Sequence, residues 1–190
     1  QPVPSPDTQL MEEIAVIAQE QVNYFQTFGF LQCRHLLSPK EMQVISDGFD
    51  VAMKKARNGE PAPKQEEKRQ QVVPFFDYDP EVFYPLLDRQ EIVDIFENLM
   101  GEDFILTLSE GIVHTGGSPW HHDAYAPDGF FSMRAAIYLD ALDLEDGCLT
   151  VIPGSHYKEF GEAINTMREA LGVLPADMPG CYPLCNKPGD

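Results

Sequence analysis

The chain has 190 residues, 43% of them hydrophobic and 23% charged, which is enough apolar material for one domain with a real core. Thirteen basic residues against 31 acidic ones leave a formal net charge of −18, which argues against nucleic acid and against anionic membrane surfaces as partners. No run approaches the roughly 18 apolar residues of a membrane helix, and Gln1–Thr8 has no basic stretch leading into an apolar one, so neither a membrane span nor a secretory leader is expected.

Leu10, Ile14, Ile17, Val22 and Phe25 recur at helical spacing and predict an amphipathic helix from about Thr8 to Phe28, stopped by Gly29. Phe30–Cys33 reads as a short strand. Ser38-Pro39-Lys40-Glu41 is a capping box with proline at the first helical position. The helix it opens has Met42, Ile45, Phe49 and Met53 as its apolar stripe and ends near Asn58-Gly59. Glu60–Gln71 is charged and contains prolines, and reads as a surface loop or lid. Asp79-Pro80 starts a helical turn. Gln90–Met100 is a further helix, with Ile92, Ile95, Phe96 and Leu99 inward and Gly101 as its cap.

The pattern then changes. Phe104–Ser109, Ile112–His114, Trp120–Asp123, Met133–Leu139 and Cys148–Ile152 are short strand-like runs separated by Gly, Pro and Asp turns. Glu159–Leu171 reads as a last helix with Phe160, Ile164, Met167 and Leu171 on one face, and Pro175–Asp190 as loop. The organisation is one domain over 1–190, helical through 1–101 and β-rich over 102–190, with no internal repeat. Cys33, Cys148, Cys181 and Cys185 lack zinc-site spacing and read as reduced thiols of a cytoplasmic protein.

Chemistry concentrates at Trp120-His121-His122-Asp123. On a strand, residues i and i+2 share a face, so His121 and Asp123 project together and His122 points away. An imidazole and a carboxylate are two of the three ligands of the non-heme iron(II) facial triad. Gly147-Cys148-Leu149-Thr150-Val151-Ile152-Pro153-Gly154-Ser155-His156 follows, after the Met133–Leu139 run and the acidic stretch Asp140–Asp146. Arg134 is the one basic residue on its run, and its planar fork suits either a cosubstrate carboxylate or an ion pair with Asp140 or another acid. His114 stands on the run before the motif, within reach of the same pocket. Trp120 packs either beside the site or as an ordinary core residue. Tyr125, Phe130 and Phe131 lie on the loop after the motif, where they can roof a pocket or simply pack.

These segments, in this order, together with Gln21–Leu37, resemble the phytanoyl-CoA dioxygenase family of iron- and 2-oxoglutarate-dependent oxygenases, most clearly from Ser118 to His156. The resemblance implies a mostly β fold, a cupin-like double-stranded β-helix or jelly roll with flanking helices. It implies Fe(II) held by His121 and Asp123, and 2-oxoglutarate as cosubstrate, decarboxylated to succinate while a small molecule is hydroxylated. The carboxylate of Asp123 favours hydroxylation, since related halogenases carry a small residue there. His156 would belong to a sharp turn and not to the metal.

The resemblance places the third ligand, a histidine, about 5–10 residues beyond a Pro-Gly-Asp turn, and an arginine for the cosubstrate's far carboxylate beyond that. Here Pro188-Gly189-Asp190 is that turn, and the sequence ends on it. The expectation is a dioxygenase fragment whose jelly roll lacks its last strands. The alternative is a catalytically silent jelly-roll domain acting as a binding or interaction module, or an inactive fragment lacking the third iron ligand. Substrate and oligomeric state are open.

Overall fold

The computed structural model describes residues 17–60, 69–118, 120–121, 131–172 and 178–190. Helix α1 (Gln19–Phe28) opens where the Gln21 side chain accepts the Ala18 N–H at 2.8 Å. It closes at Gly29, whose φ of 81° is left-handed and whose N–H donates to Phe25 O at 2.7 Å. A Cβ at Gly29 would also overlap the His156 ring, so glycine is required there on two counts. Ile17 and Val22 bury against Ile95, with Leu31, Cys33, Leu36 and Leu99 around them.

Helix α2 (Pro39–Ala56) has the reciprocal cap expected of Ser38 and Glu41: Ser38 Oγ accepts from Glu41 N at 3.3 Å, and the Glu41 carboxylate accepts from Ser38 N at 2.7 Å. Hydrogen bonding to Ser38, helped by the Arg89 charge, holds the Glu41 carboxyl below its ordinary range against the opposing effect of burial. Arg89 pairs with that carboxylate and donates to Leu36 O at 3.0 Å, tying the start of α2 to the start of the helix Gln90–Met100.

The main core lies under α2. Leu37, Met42, Ile45, Ala52 and Met53 pack against Phe75, from a turn leading into the short 3₁₀ segment Phe76–Tyr78, and against Phe83 of α3 (Pro80–Leu87). Phe75 is the hub, with ring centroids 5.1 Å from Phe49 and 5.0 Å from Phe83. Each large apolar side chain buried this fully contributes about 1.5–3 kcal/mol. Helix α4 (Gln90–Met100) follows α3. Strands β1 (Gln70–Val72) and β2 (Gly111–Val113) pair antiparallel with Gln71 opposite Ile112. Gly111 lies against the Phe75 ring, where a Cβ would overlap it.

A second antiparallel pair joins β3 (Leu149–Val151) to β4 (Tyr182–Leu184), with α5 (Lys158–Leu171) between them in the chain. Ile152, Ile164 and Met178 form its core, with Trp120 and Cys181 packed on them. The C-terminal turn docks on the segment between α1 and α2: Leu37 N donates to Gly189 O at 3.0 Å, and Gln32 Nε2 donates to Cys185 O at 2.8 Å and Asn186 Oδ1 at 2.6 Å.

The expected mostly β fold is not what forms. Helix takes 42% of the described residues and strand 9%, in two sheets of two strands each. Phe104–Ser109 and Met133–Leu139 join neither sheet, although both are short apolar-rich runs of strand-like composition. Such composition favours an extended backbone, but a strand also needs a neighbour's N–H and C=O groups, which lie elsewhere in the chain. The cost of leaving these runs out of a sheet is visible: Ile105 is 80% exposed and Leu106 57%. Phe30–Cys33 is likewise not a strand, and its Gln32 bonds the C-terminal segment through its side chain instead.

Other boundaries shift less. α1 is described only from Gln19, and the predicted Thr8–Val16 portion lies outside the described residues, as do 61–68 of the loop or lid. The loop's last residues, Gln70 and Gln71, belong to β1. Of the α5 stripe, Ile164 is buried, whereas Phe160, Met167 and Leu171 are exposed. Tyr182–Leu184 is β4 where loop was expected.

Candidate metal and cosubstrate site

Trp120 and His121 belong to neither sheet and to no helix, so the strand expected over Trp120–Asp123 does not form at its described residues. Trp120 is half-buried against the Ile152–Ile164–Met178 cluster, which fixes the chain immediately before His121. The His121 side chain is exposed. An accessible imidazole on an anchored backbone fits a metal donor, because a ligand must reach the ion while its orientation is held from behind. His122, Asp123, Tyr125 and Phe130 lie outside the described residues. Among the described residues, no three His, Cys, Asp or Glu side chains come together as a metal-holding group.

His114 follows β2 and is exposed, its Nε2 2.9 Å from Ser118 Oγ. That contact spans the Gly116-Gly117 turn between β2 and Trp120 and orients the ring from four residues away. Arg134 meets an acid, as one of its two readings required, but the acid is Glu110: Nη1 is 3.5 Å from Glu110 Oε2. Gln71 Nε2 donates to the other Glu110 oxygen at 2.9 Å. Glu110, largely buried with 15% of its side chain exposed, therefore collects β1 and the 131–139 segment around the start of β2. Sequence reading passed over Glu110. An acidic residue directly before a strand-like run was its only signal, and its partners lie 39 residues upstream and 24 downstream in the numbering.

His156 takes the turn role. Its Nε2 is 3.1 Å from Gln26 O, its ring lies 4.0 Å from that of Tyr157, and Tyr157 Oη donates to Gln26 O at 2.7 Å. Gly154 N donates to Phe28 O at 2.8 Å. The Pro153–His156 turn thus locks onto the end of α1. Phe131 is exposed and meets Phe25 edge-on at 6.3 Å. His35 is remote from this region, beside Asp190.

A family model described as phytanoyl-CoA dioxygenase matches residues 25–178, a span that includes His114, the Trp120–Asp123 motif, Arg134 and the turn at His156. The chain belongs to the phytanoyl-CoA dioxygenase family. No curated protein and no solved structure matched it. Enzymes of the phytanoyl-CoA dioxygenase family use Fe(II) and 2-oxoglutarate, so the functional class is that of non-heme iron dioxygenases. Among the described residues of this member, no helix is long and apolar enough to cross a membrane.

Proposed function

We propose that this phytanoyl-CoA dioxygenase-type chain hydroxylates a small organic molecule, with His121 and Asp123 as the iron ligands it contributes. When bound, Fe(II) with 2-oxoglutarate and dioxygen supplies the oxidising chemistry, in which 2-oxoglutarate becomes succinate and carbon dioxide and one oxygen atom enters a substrate C–H bond. The observation that carries the reading is the family match over 25–178 with an imidazole and a carboxylate in His-x-Asp spacing inside it.

The protein's own groups then have defined tasks. His121 donates a ring nitrogen, and Trp120 holds the backbone that aims it. Arg134 presents its guanidinium to a cosubstrate carboxylate, which competes with Glu110 for it. His114, whose ring is oriented by Ser118, is available to hydrogen-bond cosubstrate or substrate. The net charge of −18 favours a small-molecule substrate over nucleic acid or an anionic bilayer.

Succinate formation from 2-oxoglutarate under air, with and without added Fe(II), tests the proposal. Iron-dependent succinate that disappears in His121→Ala is the expected result. Succinate formation that His121→Ala leaves unchanged would overturn the ligand assignment, and none in either protein would point to a silent binding module.

A further inference from the structure

Cys148 and Cys185 occupy the next register position beyond the Leu149–Leu184 pair of the β3–β4 ladder, so they stand opposite one another across two antiparallel chains. Directly opposed antiparallel residues have Cα atoms about 4.5–5.5 Å apart, inside the span a disulfide bridges. The two Sγ atoms are already 4.0 Å apart. Closing to a bond of about 2 Å needs side-chain rotation and no strand movement. Both chains are held at this point: Cys148 N donates to Asp143 O at 2.9 Å, and Cys185 O accepts from Gln32 Nε2 at 2.8 Å and from Arg34 Nη1 at 2.9 Å.

We propose that Cys148 and Cys185 are a redox-modification site, forming a reversible intramolecular disulfide by exchange with a low-molecular-weight disulfide such as glutathione disulfide. Cys185 is the more exposed of the two and meets the oxidant first. Its thiolate attacks one sulfur of the small disulfide, whose S–S bond breaks, and one small thiolate leaves. Cys148, deprotonated in turn, attacks the Cys185 sulfur of the mixed disulfide and expels the second small thiolate. Two protein S–H bonds are exchanged for one S–S bond, and the small disulfide is reduced to two thiols that take up the two protons. Burial, reinforced by the contact with Cys185, pushes the Cys148 thiol above its ordinary pKa and makes it the poorer nucleophile toward a free oxidant; it attacks second, when the mixed disulfide on Cys185 is held beside it.

The cross-link would lie at the root of the segment carrying Ile152 and the Pro153–His156 turn, and so beneath the cluster on which Trp120 rests. The test uses the whole chain incubated with glutathione disulfide, then alkylated, digested and analysed by mass spectrometry. The expected product is a peptide pair joined through Cys148 and Cys185, with Cys33 and Cys181 alkylated, and with the joined pair released by dithiothreitol. Cys148→Ser should stop at a glutathione adduct on Cys185, and Cys33→Ser should leave the cross-link intact. Alkylation of all four cysteines, a stable adduct without cross-link in the unaltered chain, or a cross-link through another pair would each overturn the proposal.

Discussion

Ile164 is the one residue of the α5 stripe that the fold buries, at 2% exposure, and its truncation measures how firmly the support behind Trp120 is built. Ile164→Ala removes three carbons from contact with Ile152 and Met178. At about 0.8 kcal/mol per buried carbon the transfer part is about 2.4 kcal/mol, and an incompletely collapsed cavity brings the loss to about 3 kcal/mol. For a chain of this size that lowers the thermal midpoint by about 6–12 °C. Met167→Ala and Leu171→Ala, on the same stripe but 44% and 55% exposed, should each stay within about 0.5 kcal/mol of the unaltered protein. Urea unfolding followed by circular dichroism gives all three values. Equal losses at the three positions, or a loss below about 1 kcal/mol at Ile164, would refute the packing described for α5.

Ser38→Ala removes the acceptor for Glu41 N and should cost about 1 kcal/mol in the same unfolding assay, with Ser38→Asp restoring most of it; no loss would mean the cap is dispensable. Asp190 has a side chain only 1% exposed that accepts from Arg34, from Lys187 N at 3.1 Å and from His35 N at 3.2 Å. Burial alone would raise its pKa, but the Arg34 hydrogen bond, the two backbone N–H groups and the Arg34 charge outweigh it and hold the carboxyl below its ordinary value. A depressed folded-state pKa makes its stabilisation complete above the unfolded value of about 3.9 and lost as pH falls through the folded one. Asp190→Asn should therefore be less stable than the unaltered chain at pH 7, with the gap narrowing as pH falls below about 4; a gap that stays constant or widens on acidification contradicts this reading.

Local signals in the sequence were reliable where the physics is local. Ser38, Pro39 and Glu41 set the start of α2 through bonds between residues three apart, and Gly29 and Gly101 end their helices through backbone conformations only glycine adopts easily. The Gln90–Met100 helix formed with the predicted ends. What failed was the sheet. The apolar, strand-like composition of Phe104–Ser109 and Met133–Leu139 says nothing about which segment supplies the hydrogen bonds. Conversely, Tyr182-Pro183-Leu184, with proline at its centre, looked like loop yet pairs with Leu149–Val151, since an outer strand tolerates the missing N–H. At the site, His156 took the turn role foreseen for it, because Pro153-Gly154-Ser155 forces a tight reversal beside the end of α1. Arg134 found Glu110, a partnership invisible without tertiary structure because it joins two segments that share no ladder.

The central claim, that His121 and Asp123 supply iron ligands, is tested most directly by anaerobic titration with Fe(II) and 2-oxoglutarate, watching for the weak visible charge-transfer band of the chelate. The account predicts a saturable band in the unaltered protein and none in His121→Ala or Asp123→Ala, with all three proteins giving the same far-ultraviolet circular dichroism. A band of undiminished intensity in either variant would contradict it.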